Sequence, residues 1–173
     1  MAIPDDIKAL FPQKTLPALG PERRPDAFSL SHCQKILDAT FHTSDFNERT
    51  QQLIRSAALL WHDHLDESHT LSQETHDADG SFLHGLMHRR EPDYPNAKYW
   101  LTRTGQHDAF QTINTRSADV FKHSPLAQLA LQKWNPHDVI DAVNQAAPDS
   151  CEYWTLQEIQ RIEFEVLIEH FCR

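Results

Sequence analysis

The apolar residues of this chain recur at intervals of three and four, and no stretch of strand-type alternation exceeds four residues. That spacing fits the 3.6-residue turn of a helix and not the two-residue period of a strand. Local signals agree. Ser31 with Gln34 has the form of a capping box for a helix to about Ala39, and Ser44 precedes the longest periodic segment, about Asp45 to Gln73. In that segment Ile54, Ala57, Trp61, His64/Leu65, Ser68 and Leu71 form one stripe. Further helices are predicted over about 82–90 (ended by Pro92), 95–104 (ended by Gly105), 125–134 (opened by Ser124-Pro125), 136–147 (opened by Asn135-Pro136) and 155–171, where Thr155 and Glu158 form a second capping box. The expected fold is all-α, an irregular bundle of six or seven helices.

Residues 1–29 stand apart, with five of the ten prolines: Pro4, Pro12, Pro17, Pro21 and Pro25. Proline removes a backbone donor and pushes its predecessor to an extended shape. The segment therefore reads as an extended arm with a helical turn near Asp5–Phe11, laid over a single helical domain of residues 30–173 by Leu10, Phe11, Leu16 and Leu19. A chain of 173 residues suits one domain and buries roughly 70% of its unfolded surface.

Several function classes fall away. Four glycines and no G-x-G-x-x-G or G-x-x-x-x-G-K-[ST] motif leave no phosphate-cradling loop. A net charge of −9 argues against nucleic acid or an anionic membrane as partner, since both reward a basic face. Cys33, Cys151 and Cys172 are too few and too scattered for a disulfide frame, and read as reduced thiols. The start MAIPDDIKALFP lacks the basic flank and apolar run of a signal peptide, and nowhere do about 18 apolar residues run together. The expectation is a soluble, acidic, cytoplasmic protein.

The chemistry-bearing residues crowd the centre. Residues 62–91 contain six of the twelve histidines, at 62, 64, 69, 76, 84 and 88, and seven acids, Asp63, Asp66, Glu67, Glu74, Asp77, Asp79 and Glu91. A carboxylate beside an imidazole fixes its tautomer and raises its pKa, as general-base sites require. His84 and His88 lie one helical turn apart with Glu91 next along the same face, a spacing that can chelate a divalent metal such as Zn or Fe. The third ligand expected from the long helix is His64. The H-E-x-x-H signature is absent, because Gly85 stands where its glutamate belongs. Equally open is a bland arrangement, with His64 satisfied by a backbone carbonyl and His84 and His88 on a solvated face. His62, Asp66, His69 and Gln73 form a polar stripe that either faces water or meets His84, His88 and Arg90 in a pocket. Ser68 next to His69 is no nucleophile–base pair, since helix neighbours point about 100° apart. Arg89 and Arg90 can hold a carboxylate, Asp93 can cap the helix that Pro95 begins, and Tyr94, Tyr99 and Trp100 read first as core packing.

Two resemblances follow from these residues. Asp93-Tyr94-x-x-Ala97-x-x-Trp100-Leu101 resembles the second helix of a tetratricopeptide or Sel1-type repeat, in a single copy where an array needs about three. The runs His62-Asp63…Asp66-Glu67-Ser68-His69…Gln73, Gly80-Ser81-x-x-His84-Gly85-x-Met87-His88-Arg89-Arg90-Glu91-Pro92-Asp93-Tyr94 and Asn96-Ala97-x-Tyr99-Trp100 are similar to an uncharacterised family of bacterial cytosolic helical proteins. The likeness extends over about residues 50–173 and departs at Leu101-Thr102-Arg103-Thr104-Gly105, where that family usually carries arginines and a valine. It implies a site built on polar residues and assigns no activity.

The combined expectation is a polar pocket between helices 46–73 and 81–91 that binds a small polar ligand and supports acid–base or hydrolytic chemistry. Its candidate catalytic residues are His69, His88, Glu67 and Glu91; its candidate ligand-binding residues are His62, Asp66, His84 and Arg90. A metal-dependent version uses His64, His84 and His88. The rival is a non-enzymatic module that presents the corner 93–104 to a protein partner.

Overall fold

A computed structural model describes residues 3–173; Met1 and Ala2, the first two positions of the expected arm, lie outside the described residues. The fold is all-α. Nine α-helices follow one another among the described residues: α1 (Asp5–Lys8), α2 (Leu30–His42), α3 (Glu48–Trp61), α4 (Leu65–Glu74), α5 (Ala78–Arg90), α6 (Tyr94–Thr104), α7 (Ala109–Lys122), α8 (Pro136–Gln145) and α9 (Cys151–Phe171). No helix among them is long and apolar enough to cross a membrane.

The helix starts follow side-chain chemistry. Ser29, Asn47, Asp77, Asp93, Asn135 and Ser150 each accept a backbone N–H from the first turn of the helix they precede. The caps expected at Ser31, Ser44 and Thr155 are therefore displaced by a few residues, while those at Asp93 and Asn135 stand. Ser124-Pro125 opens only a 3₁₀ segment, Ala127–Leu131. Helix α7 has no counterpart in the predicted set.

The largest departure lies in the 45–73 segment, which is two helices and not one. The break falls at His62-Asp63-His64, where Asp63 adopts φ +66°. Aspartate tolerates this left-handed conformation, and here its carboxylate is fixed: Oδ2 accepts from the backbone N (2.9 Å) and Nε (3.0 Å) of Arg24, and Oδ1 accepts from Arg90 Nη2 (2.8 Å). Two guanidinium groups thus hold the turn that reorients α4 against α3.

Helix α5 occupies the centre, with every residue from Asp79 to Arg90 buried and α3, α4 and α6 packed around it. Gly85 permits the tightest of these approaches, because a Cβ there would meet Leu101 Cγ at 2.6 Å. Its presence in HGLMHRR is explained by helix packing. In a helix buried on all sides an unpaired charge is costly, and both arginines of α5 are ion-paired. Arg89 donates to Glu163 of α9 through Nη1 (3.0 Å) and Nη2 (2.5 Å), and Arg90 donates to Asp63 and to the carbonyls of Leu60 and Gly20.

The proline-rich residues 9–29 form no helix and lie against α3, α5 and α9 with Leu10 and Leu19 buried. Body side chains satisfy their backbone: Gln157 Nε2 donates to Pro17 O (2.9 Å), His62 Nε2 to Leu10 O (2.9 Å), and Tyr153 Oη accepts from Leu19 N (3.1 Å). Cys33 and Cys172 are buried free thiols, and burial pushes both up to about 11.

Candidate metal centre

Helices α4 and α5 pack side by side, and the break at Asp63 sets which α4 residue faces α5. That residue is His69. Its ring centroid lies 4.6 Å from that of His84 and 5.1 Å from that of His88, and His84 and His88 stack at 4.7 Å. One ring nitrogen from each of the three falls within 4.8 Å of the others. His84 and His88 are buried; His69 is half-buried.

The two ring nitrogens of His88 have distinct roles. Nδ1 faces Glu91 Oε2 at 3.0 Å and Nε2 faces Asn96 Nδ2 at 3.1 Å. A carboxylate only accepts, so Nδ1 carries the proton and donates it to Glu91. Nε2 then holds a lone pair, which the Asn96 amide caps. This is the arrangement in which a carboxylate orients a metal-binding imidazole through its remote nitrogen.

His84 stacks on Trp100 of α6 at 3.9 Å, yet its Nδ1 is buried without a hydrogen-bond partner. A buried polar atom left unpaired costs about 1–3 kcal/mol, and such an atom in a native structure calls for a ligand or another explanation. Burial, together with the neighbouring His88 and His69, holds His84 down to about 3. Burial also lowers His88 despite the opposing Glu91. Both shifts keep the lone pairs of His84 and His88 available at neutral pH, as metal ligation requires.

The other expected site residues lie elsewhere. His64, the anticipated third ligand, caps the start of α4 and turns Nε2 to Phe28 O (2.9 Å), because the chain break rotates it away from α5. His62 is enclosed between Leu10 O and the Phe28 N–H, which Nδ1 accepts at 3.1 Å, and stacks on Phe28. Burial holds it down to about 4. Arg90 is wholly committed to Asp63 and two carbonyls. Asp66 is exposed and Glu67 half-buried, and neither bonds to the three imidazoles. The stripe His62–Asp66–His69–Gln73 is interrupted by the break. Asn96 and Trp100, which complete the surroundings of the centre, stand in the motif Asn96-Ala97-x-Tyr99-Trp100 but are not among the candidate site residues.

A second histidine cluster unites Asp79, His107 and His170. Asp79 Oδ1 accepts from His107 Nε2 (2.7 Å) and lies 3.1 Å from His170 Nε2, while Oδ2 accepts from Arg49 Nη2. His107 Nδ1 accepts the Ala109 N–H at the start of α7 (3.1 Å). Both nitrogens of His107 are therefore engaged, with the proton on Nε2 and the Nδ1 lone pair held by a backbone N–H rather than by a side-chain amide. Burial would raise Asp79, but the His107 and Arg49 hydrogen bonds outweigh it and hold the carboxyl down to about 2. The cluster is a clasp joining α3, α5, α7 and α9.

No family model, curated protein or solved structure matches the chain, so the centre is interpreted from its own geometry.

Proposed function

We propose that this chain is a metal-dependent protein in which His69, His84 and His88 hold one divalent transition-metal ion, Zn or Fe, and leave coordination positions open to a small polar ligand. The observation that carries the reading is the convergence of one ring nitrogen from each of three histidines within 4.8 Å, in a cluster whose His84 also has a buried Nδ1 without a hydrogen-bond partner among the described residues. Imidazole suits Zn and Fe, and three protein ligands with an open position characterise catalytic rather than structural zinc sites. A metal bound there would polarise a carbonyl or activate water, which gives hydrolysis of a small polar substrate as the reaction class. In this reading His69 and His88 are ligands rather than free bases, and Glu91 orients His88. Calorimetric titration of chelator-treated protein with Zn(II) tests it: one site per chain is expected, lost in His84→Ala. Equal binding by that variant excludes this centre.

The interaction-module reading draws on Tyr99, which is 54% exposed on α6. It receives less support, since Ala97 and Leu101 of the same helix are buried and the exposed face otherwise carries Pro95, Thr102 and Arg103. We also propose that residues 30–173 act as one domain, with residues 1–29 as an arm strapped across it. The hydrogen bonds from Gln157, His62 and Arg24 to and from that segment support this reading.

A further inference from the structure

Building on the metal reading, we infer that the exogenous ligand of the centre is a small anion bound through oxygen or nitrogen, and that Asn96 is the residue that receives it. The His88 tautomer decides which groups can face it. Because Nδ1 donates to Glu91, Nε2 is an acceptor and only a donor can face it, which identifies the Asn96 atom at 3.1 Å as the amide NH₂. Nε2 is therefore the His88 nitrogen whose lone pair a metal ion would take, in place of the Asn96 amide. A metal ion taking that lone pair removes the acceptor from Asn96.

The backbone of Asn96 is fixed beside the centre. Its backbone N–H is held by Asp93 Oδ1 (3.2 Å) in the first turn of α6, and that helix is locked against α5 by the Gly85–Leu101 contact. Its amide donor, once displaced from His88 Nε2, needs a new acceptor within reach of that fixed backbone. The available one is the group that fills the open coordination position. A donor aimed there selects a ligand with lone pairs to spare, such as a carboxylate oxygen.

Charge selects in the same direction. Three neutral imidazoles leave the charge of a divalent ion uncancelled, and the carboxylate bonded to the cluster, Glu91, meets it only through His88. An incoming anion supplies the missing negative charge and a strong acceptor together. Asn96 acts here as a ligand-binding residue and not as a metal ligand.

The test uses the full chain loaded with Co(II), whose visible absorption reports the coordination sphere, titrated with sodium azide and with sodium acetate. Saturable spectral changes with both anions are expected. Asn96→Ala should weaken anion binding about tenfold, the scale of one hydrogen bond to a charged group. Its cobalt affinity should be equal or higher, because the competing bond to His88 Nε2 is gone. Asn96→Asp, of nearly the same shape, should bind cobalt more tightly and anions more weakly still. If cobalt binds but neither anion alters the spectrum, or if Asn96→Ala binds both like the unmodified chain, this inference is overturned and the metal reading stands. If cobalt does not bind, the metal reading fails and takes the inference with it.

Discussion

His88 donates through Nδ1 to the Glu91 carboxylate at 3.0 Å, and this bond leaves Nε2 as the nitrogen that can ligate. Glu91 lies at the end of α5 on a half-buried surface, so its removal does not breach the core. Glu91→Gln is expected to lower metal affinity about 10–100-fold, the cost typical of losing a carboxylate behind a ligating histidine. Competition with a chromophoric chelator measures it, and unchanged affinity would detach Glu91 from the centre.

Exchanging the roles of two α4 histidines separates ligation from folding. His69→Ala should abolish stoichiometric metal binding while leaving the fold intact, because the His69 ring is half-buried and has no hydrogen-bond partner among the described residues. His64→Ala should bind metal normally and lose about 1 kcal/mol of stability, from the bond its ring makes to Phe28 O. Metal analysis paired with urea unfolding distinguishes the two, and the reverse pattern would restore His64 as the ligand.

The reason His69 and not His64 faces α5 explains what was legible in the sequence. The stripe Ile54, Ala57, Trp61, Leu65 reads as one continuous helix, and nothing in HDH announces the break that makes it two: neither glycine nor proline marks it. The turn is held by Arg24 and Arg90, which lie 39 and 27 residues away from Asp63. Tertiary ion pairs decide it, and no local pattern encodes them. Helix α7 escaped for a related reason, since Asp108 precedes it without a side-chain cap bond. Asn135-Pro136 and Asp93 were legible because their chemistry is complete within a few residues. The pair His84/His88 was legible from spacing alone. The Asp79–His107–His170 clasp joins three distant segments and left no signal.

Asp63 offers a direct test of the buried ion-pair network. Asp63→Asn preserves shape and tolerates φ +66°, so it removes charge alone and leaves Arg24 and Arg90 without a counter-ion. A loss of about 3–5 kcal/mol is expected on urea unfolding. A loss below about 1 kcal/mol, the scale of an exposed pair, would mean that the network is not enclosed as described.

Acid should destabilise the protein well above the carboxylate range. Burial holds His62 down to about 4 and His84 down to about 3, against an ordinary value near 6.5. Such groups bind fewer protons in the native state than in the unfolded chain, so stability rises with pH wherever the unfolded histidines are titrating. The contribution is fully present above about pH 6.5 and is lost as pH falls from there toward 4 and 3. For His62 the cause is visible: a proton on Nδ1 would set a donor against the Phe28 N–H. Thermal melts between pH 7 and pH 4 should show a steady fall in Tm, shallower in His62→Gln. A Tm independent of pH over that range would contradict the burial of these rings.

The most direct measurement is the metal content of the full chain, purified without chelators and analysed by elemental mass spectrometry beside its His84→Ala and His88→Ala variants. The account predicts close to one Zn or Fe per chain, a melting temperature that falls when the metal is stripped and recovers when it is restored, and no bound metal in either variant. Metal-free protein whose melting is unchanged by added Zn(II), Fe(II), Mn(II) or Ni(II) would contradict it.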